Sequence, residues 1–213
     1  YLKQKNIDEK WIGTSDTEIL LKSLEYFGVS RTLKIIDGMF AFVYWDDQNK
    51  KLYLSRDRVG EKPLYYSFFE NFFIYGSELK SIMAFQGIKC EISPSSRDIF
   101  FKYGYIPSPQ TIYKGILKIN PGTFFEVSVK NKIFVNKSFT YWKPDSHENK
   151  TNKGEIITDL NELITSSVKK NLIADVPVGS FLSGGVDSSL ISSIASKVSS
   201  KKISPHLIPS VIE

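Results

Sequence analysis

The sequence has 213 residues, of which 41% are hydrophobic and 24% are charged, and its formal net charge is +5 at pH 7. This composition is typical of a globular chain that buries a core in one large or two small domains. No run of about 18 apolar residues predicts a membrane span, and the polar, lysine-rich start lacks the apolar segment of a signal peptide.

The positive charge comes almost entirely from lysines that are spread along the chain. Nucleic-acid modules usually cluster their basic residues and interleave them with aromatics, so this pattern favours a solvated surface and no nucleic-acid partner. The lone cysteine, Cys90, excludes an internal disulfide and is typical of a reducing cytoplasm. With only His147 and His206 beside it, no zinc cluster is expected.

The first predicted element is a helix that begins after Ser15 and carries apolar residues at helical spacing up to Val29. Ser15 is a plausible N-cap, and Glu18 completes the sequence pattern of a capping box. Asp16 and Glu18 lie in the first turn, where acidic side chains complement the helix dipole. On spacing alone, a structural role for Asp16 is therefore favoured over a ligand role.

Residues 37–83 predict a run of antiparallel strands. Met39–Trp45 is predicted as a long buried strand, and Leu52–Ser55 returns as its partner after a polar turn. A charged turn then leads to a short strand and to a further strand at Phe72–Tyr75. Ser77 and Glu78 are predicted to open a short helix.

The middle of the chain predicts a short helix around Ile99–Tyr103, an extended proline-containing segment at 104–109 and a turn at 120–122. A hairpin is predicted from Thr123–Val129 and Ile133–Val135. Residues 145–154 are polar and are predicted as a linker.

After this linker, the order of elements changes to helix, strand and helix. An amphipathic helix at Glu155–Leu172 precedes an apolar strand at Val178–Leu182, and a second helix continues to Val198. This alternation indicates the beginning of a parallel α/β sheet. The tail from residue 204 onward is predicted to supply no second strand, because Pro205 and Pro209 interrupt it.

A glycine turn joins that strand to the second helix, with the sequence Ser183–Ser189. Backbone N–H groups at the start of a helix favour an anion, and Gly184 and Gly185 would let the backbone approach a phosphate closely. The carboxylate of Asp187 fits such a site if Mg²⁺ lies between it and the phosphate. The alternative is a serine-rich loop that only caps the helix. The Walker and dinucleotide glycine fingerprints are absent from the sequence.

This loop resembles the pyrophosphate-binding loop of the ATP pyrophosphatases, and the whole order of motifs resembles the glutamine-hydrolysing asparagine synthetases. The similarity covers about residues 11–200. It is carried by the blocks Gly13–Glu18, Asp37–Phe42, Arg56–Gly60, Lys62–Tyr66, Ser77–Lys80 and Val176–Ser189, with further similarity at Tyr105–Pro109 and Pro121–Gly122.

The resemblance implies an α+β fold followed by an α/β fold. Residues 1–144 would be the later part of an antiparallel-sheet, N-terminal-nucleophile glutaminase domain with an inter-domain segment. Residues 145–154 would be a linker, and residues 155–213 the start of a parallel-sheet ATP pyrophosphatase domain. Two coupled reactions are implied: glutamine releases ammonia, and ATP converts aspartate to an aspartyl-adenylate from which ammonia displaces AMP to give asparagine.

Site residues follow from the resemblance position by position. Asp16 matches the aspartate that binds the α-ammonium of glutamine, which reverses the preference from spacing alone. The ATP-binding residues implied are Leu182, Ser183, Gly184, Gly185, Asp187, Ser188 and Ser189. Asp187 would also bind the magnesium, so the cofactors are ATP and Mg²⁺. The partners implied are glutamine, aspartate and ATP, without nucleic acid or membrane, in the cytoplasm, and a homodimer of the full-length protein is left open.

The sequence also departs from the family pattern. The family's nucleophile is an N-terminal cysteine, and this chain begins at Tyr1, so a fragment that lacks both ends of the enzyme is expected. No catalytic residue is assigned, Cys90 is no substitute, and the chain alone is expected to be inactive. Arg56, Asp57 and Glu78 are interpreted as structural or interface residues. Two alternatives stay open: a relative that acts on another carboxylate acceptor, and a non-catalytic remnant that binds nucleotide or a partner.

Overall fold

The computed structural model describes residues 11–13, 15–130, 133–145, 152–199 and 204–207. The chain divides into two compact units, 1–145 and 146–213. Most of the predicted linker, residues 146–151, and the end of the tail, residues 208–213, lie outside the described residues. No helix of the described part of the chain is long and apolar enough to cross a membrane.

The first unit combines antiparallel sheets with helices, which confirms the architecture predicted for it. Its elements are α1 (Asp16–Ile35), β1 (Ala41–Asp46), β2 (Lys51–Arg56), β3 (Tyr65–Phe69), β4 (Phe72–Gly76), α2 (Leu79–Met83), α3 (Pro94–Tyr103), β5 (Ile116–Lys118), β6 (Thr123–Lys130) and β7 (Ile133–Thr140). One sheet has the strand order β1-β2-β6-β7, the other has the order β4-β3-β5, and every pairing in both is antiparallel.

The two faces of the four-stranded sheet have different partners, because successive side chains of a strand point to opposite sides. On β6, Phe124 packs with Leu24 and Leu33 of α1. The next residue, Phe125, packs on the other face with Tyr66 of the three-stranded sheet, at a ring-centroid distance of 4.9 Å. The unit is therefore built in three layers, with the four-stranded sheet in the middle.

The prediction of a long buried strand at residues 39–45 was only partly right. The strand begins at Ala41, and the side chains of Met39 and Trp45 are 48% and 50% exposed. Met39 precedes the strand, and β1 lies at an edge of the sheet formed by the described residues, so neighbouring strands flank Trp45 from one side only.

Helix α1 begins as predicted, with the Ser15 hydroxyl accepting the Thr17 N–H at 3.1 Å. The Glu18 carboxylate accepts the N–H groups of Ile12 and Gly13, at 3.0 and 2.8 Å, and so holds the preceding chain against the first turn. The helix is interrupted at Gly28, whose φ of +71° is left-handed. The apolar spacing thus predicted a continuous helix where the backbone is in fact interrupted, at a residue type that adopts a positive φ at little cost in free energy.

The turn between β2 and β3, residues 56–62, is held by two charged side chains that bond to backbone. The Arg56 guanidinium donates to the carbonyls of Gly60, Lys62 and Ile119. The Asp57 carboxylate is 1% exposed and accepts the N–H groups of Glu61 and Lys62, both at 2.9 Å. These contacts agree with the structural role interpreted for both residues.

The end of the first unit closes over this Arg56–Lys62 turn. The Tyr141 hydroxyl donates to the Arg56 carbonyl at 2.8 Å. The Gly122 N–H donates to the Asp57 carbonyl at 2.9 Å, and the Gly122 carbonyl accepts N–H groups from Tyr141 and Trp142. Burial, together with the nearby charge of Asp57, raises the pKa of Tyr141 to about 12.

We expect Tyr141→Phe to lower the free energy of unfolding near neutral pH by about 1 kcal/mol, the usual value of a partly buried hydrogen bond. Because the folded pKa lies above the unfolded value of about 10, the phenol favours folding below pH 10, and this contribution is lost as pH rises toward 12. Urea unfolding at pH 8, 10 and 11 should therefore show that the free energy of unfolding falls more steeply with rising pH in the wild type than in the variant. The same dependence of the free energy of unfolding on pH in wild type and variant would contradict this prediction. Tyr103→Phe is the control, because the side chain of Tyr103 is exposed.

The second unit contains α4 (Lys153–Asn171), β8 (Gly179–Leu182), α5 (Val186–Val198) and β9 (Ser204–Leu207). Its core forms where Val168 of α4 meets Ile194 and Ala195 of α5. Strands β8 and β9 pair in parallel, as expected of two strands joined by a helical crossover.

Strand β9 shows that the prediction of no second strand in the tail was wrong. Pro205 lies within the strand, in register with Ser180 of β8. Both strands of the two-stranded sheet of the described residues have one open edge. A proline is tolerated in such a strand, because only one side of it needs to form hydrogen bonds.

Candidate functional site

A cavity of about 830 Å³ in the first unit contains the predicted glutamine-binding residue, Asp16. Residues from four distant parts of the chain line it, namely the first turns of α1, the segment 36–42, Lys62 with Pro63, and Ser77. Sequence reasoning gave Lys62 and Ser77 no place in a site, although both belong to the motif blocks that carry the family resemblance.

The carboxylate of Asp16 is exposed and only weakly engaged. Its Oδ1 accepts the hydroxyls of Ser15 and Thr17 at 3.4 and 3.5 Å, which is at the limit of a hydrogen bond. It therefore retains acceptor capacity for an ammonium group inside the cavity. Lys62 and Asp37 also line the cavity, so both signs of charge are present, as a zwitterionic amino acid would require.

The predicted phosphate loop lies where the sequence places it, between the end of β8 at Leu182 and the start of α5. Gly184 has a φ of +82°, and a Cβ placed there would meet nothing within 4 Å. Gly185 is the N-cap of α5, and no side chain caps the helix there. The alternative in which a serine side chain only caps this helix is therefore not observed.

This absence of a cap leaves the N–H groups in the first turn of α5 without intrahelical acceptors and open to an anion. The hydroxyls of Ser183 and Ser188 lie 3.1 Å apart across the loop, so the structure brings these two predicted residues together. Ser188 also donates to the Gly185 carbonyl at 3.1 Å. Ser189 is exposed, and its backbone N–H makes the first helical bond to Gly185.

Asp187 lies in the first turn of α5 with an exposed side chain. Within the described residues, no group of three histidine, cysteine, aspartate or glutamate side chains could hold a metal ion. A single carboxylate beside the predicted phosphate loop is compatible with Mg²⁺, which commonly takes one or two protein carboxylates and completes its shell with phosphate oxygens and water.

The first unit has the antiparallel sheets and helices of a glutamine amidotransferase domain, and the second unit begins with a helix, a strand and a glycine loop. The family described as "Glutamine amidotransferase domain" matches residues 2–142. The family described as "Asparagine synthase" matches residues 159–206. The chain thus belongs to the glutamine amidotransferase domain family, and its resemblance to the glutamine-hydrolysing asparagine synthetases is confirmed.

Individual relatives agree with this assignment. The chain is 37% identical to the putative asparagine synthetase [glutamine-hydrolyzing] 2 of Methanocaldococcus jannaschii over 194 residues, and this aligned stretch covers 89% of this chain and 36% of the relative. It is 35% identical to asparagine synthetase [glutamine-hydrolyzing] 1 of Bacillus subtilis over 181 residues, and the aligned stretch covers 85% of this chain and 28% of that relative. It is also 32% identical to the amidase chry2 of Gibberella zeae over 201 residues, and the aligned stretch covers 92% of this chain and 29% of that relative. The chain spans about a third of the length of these relatives.

Proposed function

We propose that this chain is part of a glutamine-dependent asparagine synthetase, in which ammonia from glutamine converts aspartate to asparagine through an aspartyl-adenylate. The observation that carries this proposal is the order of two family matches on one chain, a glutamine amidotransferase domain followed by an asparagine synthase segment. The uncapped glycine loop falls inside the second match, where a nucleotide site is required.

In the first unit, we assign Asp16 to the α-ammonium of glutamine. The carboxylate lines the cavity and is held in place by the first turn of α1, whose Ser15 cap fixes the backbone next to it. A charge-assisted hydrogen bond to an ammonium is stronger than the two weak hydroxyl contacts that Asp16 makes otherwise. The residue would position glutamine for hydrolysis without itself taking part in bond breaking.

In the second unit, we assign the loop after β8 to the phosphates of ATP. The N–H groups in the first turn of α5 and the hydroxyls of Ser183 and Ser188, which lie 3.1 Å apart, would provide the donors, and the left-handed Gly184 leaves room for the phosphate to approach the backbone. Asp187 would hold Mg²⁺, which neutralises phosphate charge when bound. Leu182, at the end of β8, and Ser189, in the first turn of α5, complete the set.

These assignments predict separate effects for the two aspartates. Residues 11–199 can be grafted into the Bacillus subtilis relative in place of the matching stretch, and asparagine formation measured with glutamine or with ammonium chloride. Asp16→Asn should lower the glutamine-dependent rate at least about 10-fold, equivalent to about 1.4 kcal/mol, and leave the ammonia-dependent rate unchanged. Asp187→Asn should lower both rates at least about 10-fold.

The matched control is Asp175→Asn, an exposed carboxylate just before β8 that should leave both rates unchanged. The assignment of Asp16 fails if its variant loses the ammonia-dependent rate to the same extent. The assignment of Asp187 fails if either rate survives its substitution. We also propose that the ungrafted chain does not hydrolyse glutamine, since its single cysteine, Cys90, lies in mid-chain and has no N-terminal amine beside it.

A second candidate function is an amidotransferase of the same architecture that uses another carboxylate acceptor. It is favoured by the amidases chry2 of Gibberella zeae and chyE of Penicillium rubens, which are 32% and 34% identical to this chain, nearly as similar as the named asparagine synthetases. ATP–pyrophosphate exchange in a longer protein that contains this chain distinguishes the two. Exchange that depends on aspartate supports the first function, and exchange with another carboxylic acid but not with aspartate supports the second.

A further inference from the structure

A second cavity in the first unit is separate from the one that contains Asp16. Its volume is about 320 Å³, and it is lined mainly by aromatic and aliphatic side chains, among them Tyr65, Phe100, Tyr105 and Ile112. We call it the α3 cavity, after the helix that contributes Phe100. Its size is at the lower end of the range for small-molecule sites, so a compact ligand would fill it.

Among the described residues that line the α3 cavity, Lys118 is the one that carries a charge. Its Nζ donates to the backbone carbonyl of Ile106, and no ion pair with a carboxylate is seen for it within the described residues. Burial lowers the pKa of Lys118, and the positive charge of Arg56 lowers it further. An ammonium in this setting lacks the anion that would compensate for its partial burial.

Arg56 makes the local excess of positive charge larger. Its guanidinium donates to the Ile119 carbonyl at 3.1 Å and to the Ser108 hydroxyl at 3.5 Å, and its other acceptors are also neutral oxygens. Ile119 follows Lys118 in the chain, and Ser108 lies two residues after Ile106. The two segments are joined by a hydrogen bond of 2.7 Å from the Lys118 N–H to the Pro109 carbonyl. Two cations therefore lie beside one short pair of segments whose side chains supply no negative charge.

The hydrophobic wall of the cavity is also left open. The side chains of Phe100 and Tyr105 are 47% and 63% exposed. Covering such aromatic surface is favourable by roughly 25 cal/mol per Å². A ligand that combines one negative charge with a flat apolar body would complement both the wall and the lysine.

We propose that the α3 cavity is a binding site for a small monocarboxylate with an aromatic or aliphatic body. The carboxylate accepts a hydrogen bond from the Lys118 ammonium, and the apolar body packs against Phe100 and Tyr105. This site does not depend on the proposed function, since it uses neither Asp16 nor the glycine loop.

The test is isothermal titration of the full chain with 3-phenylpropionate and with 3-phenylpropionamide, which has the same shape and no charge. We expect saturable binding of the acid and binding of the amide that is at least about 10-fold weaker, as expected for the loss of one charge-assisted hydrogen bond. Lys118→Met should weaken binding of the acid to the same extent, and Lys118→Arg, which keeps the charge, should retain it. Lys114→Gln is the control, since Lys114 pairs with Glu91.

Three outcomes would overturn the proposal. One is the absence of binding of 3-phenylpropionate to the wild type up to about 10 mM, beyond the weak end of specific binding. Another is equal affinity for acid and amide, which would mean that the cavity takes apolar groups without using the lysine. The last is unchanged affinity in Lys118→Met. If Lys118→Met does not fold by circular dichroism, the comparison of acid with amide in the wild type and in Lys118→Arg decides the question.

Discussion

Replacing Gly122 by alanine is expected to destabilise the first unit by about 3 kcal/mol, the upper range for a strained backbone position that is also overpacked. Gly122 has a φ of +62°, where a residue with a Cβ pays about 1–2 kcal/mol. An added Cβ would also overlap the carbonyl oxygen of Trp142. That oxygen belongs to the backbone and cannot rotate away, and both polar backbone groups of Gly122 are already hydrogen bonded, so local relaxation would break other contacts.

The chain offers a matched control in Gly115→Ala. Gly115 has a similar φ of +74°, but a Cβ there would meet nothing within 4 Å. Its replacement should lower the free energy of unfolding only through the unfavourable left-handed backbone, by about 1 kcal/mol. Urea unfolding followed by tryptophan fluorescence compares the two variants with the wild type. Equal losses would show that crowding at Gly122 contributes nothing to stability.

Asp57→Asn is expected to lower the free energy of unfolding by about 3 kcal/mol at neutral pH. The buried carboxylate of Asp57 uses both oxygens, one for the Glu61 N–H and the other for the Lys62 N–H. An asparagine can accept only one of these bonds, and its amide group would face the remaining donor. The variant would therefore leave a buried N–H unsatisfied and remove two charge-assisted bonds.

The pH dependence gives an independent check on Asp57. Burial raises the pKa of this carboxyl, but the backbone hydrogen bonds from Lys62 and Glu61 outweigh it, with smaller effects from Gly60 and Phe40, and the pKa is lowered overall. A lowered folded pKa stabilises the protein above the unfolded value of about 3.9, and this contribution is lost as the pH falls through the folded value. The difference between wild type and Asp57→Asn should thus shrink below pH 4.

The matched control for this experiment is Asp47→Asn, at an exposed turn position where the carboxylate bonds to Lys50 and Trp45. Its unfolding midpoint should equal that of the wild type. If Asp57→Asn retained the full acid sensitivity of the wild type, the carboxylate of Asp57 could not be the group that titrates.

The second unit shows what local sequence pattern could predict. An apolar run, two glycines and a renewed helical spacing predicted a strand, a glycine turn and a helix, and the structure has β8, the loop at Gly184 and α5 in that order. Each of these elements depends on residues next to it in sequence. The helix start at Ser15 was predictable for the same reason, since a side-chain cap is a local interaction.

Features that depend on distant residues could not be predicted in this way. The cavity around Asp16 needs Lys62 and Ser77, which only the pairing of strands brings near α1. Strand β9 was missed because its partner β8, rather than its own proline-containing sequence, decides whether it forms. Met39 is exposed because it precedes β1, and Trp45 lies on a strand at the edge of the sheet formed by the described residues, a place in the strand order that the composition of a strand does not reveal.

The closure of the first unit by Tyr141 and Trp142 has a consequence for how the protein is made. A ribosome completes the Arg56–Lys62 turn long before it reaches these two residues, which supply the hydroxyl and N–H groups that bond to Arg56 and Gly122. Contacts so far apart in sequence form late, so the nascent unit stays open until the two residues that follow β7 have been translated. A premature stop shortly before residue 141 should therefore leave a polypeptide that cellular proteases degrade, even though it already carries β1 to β6 and most of β7.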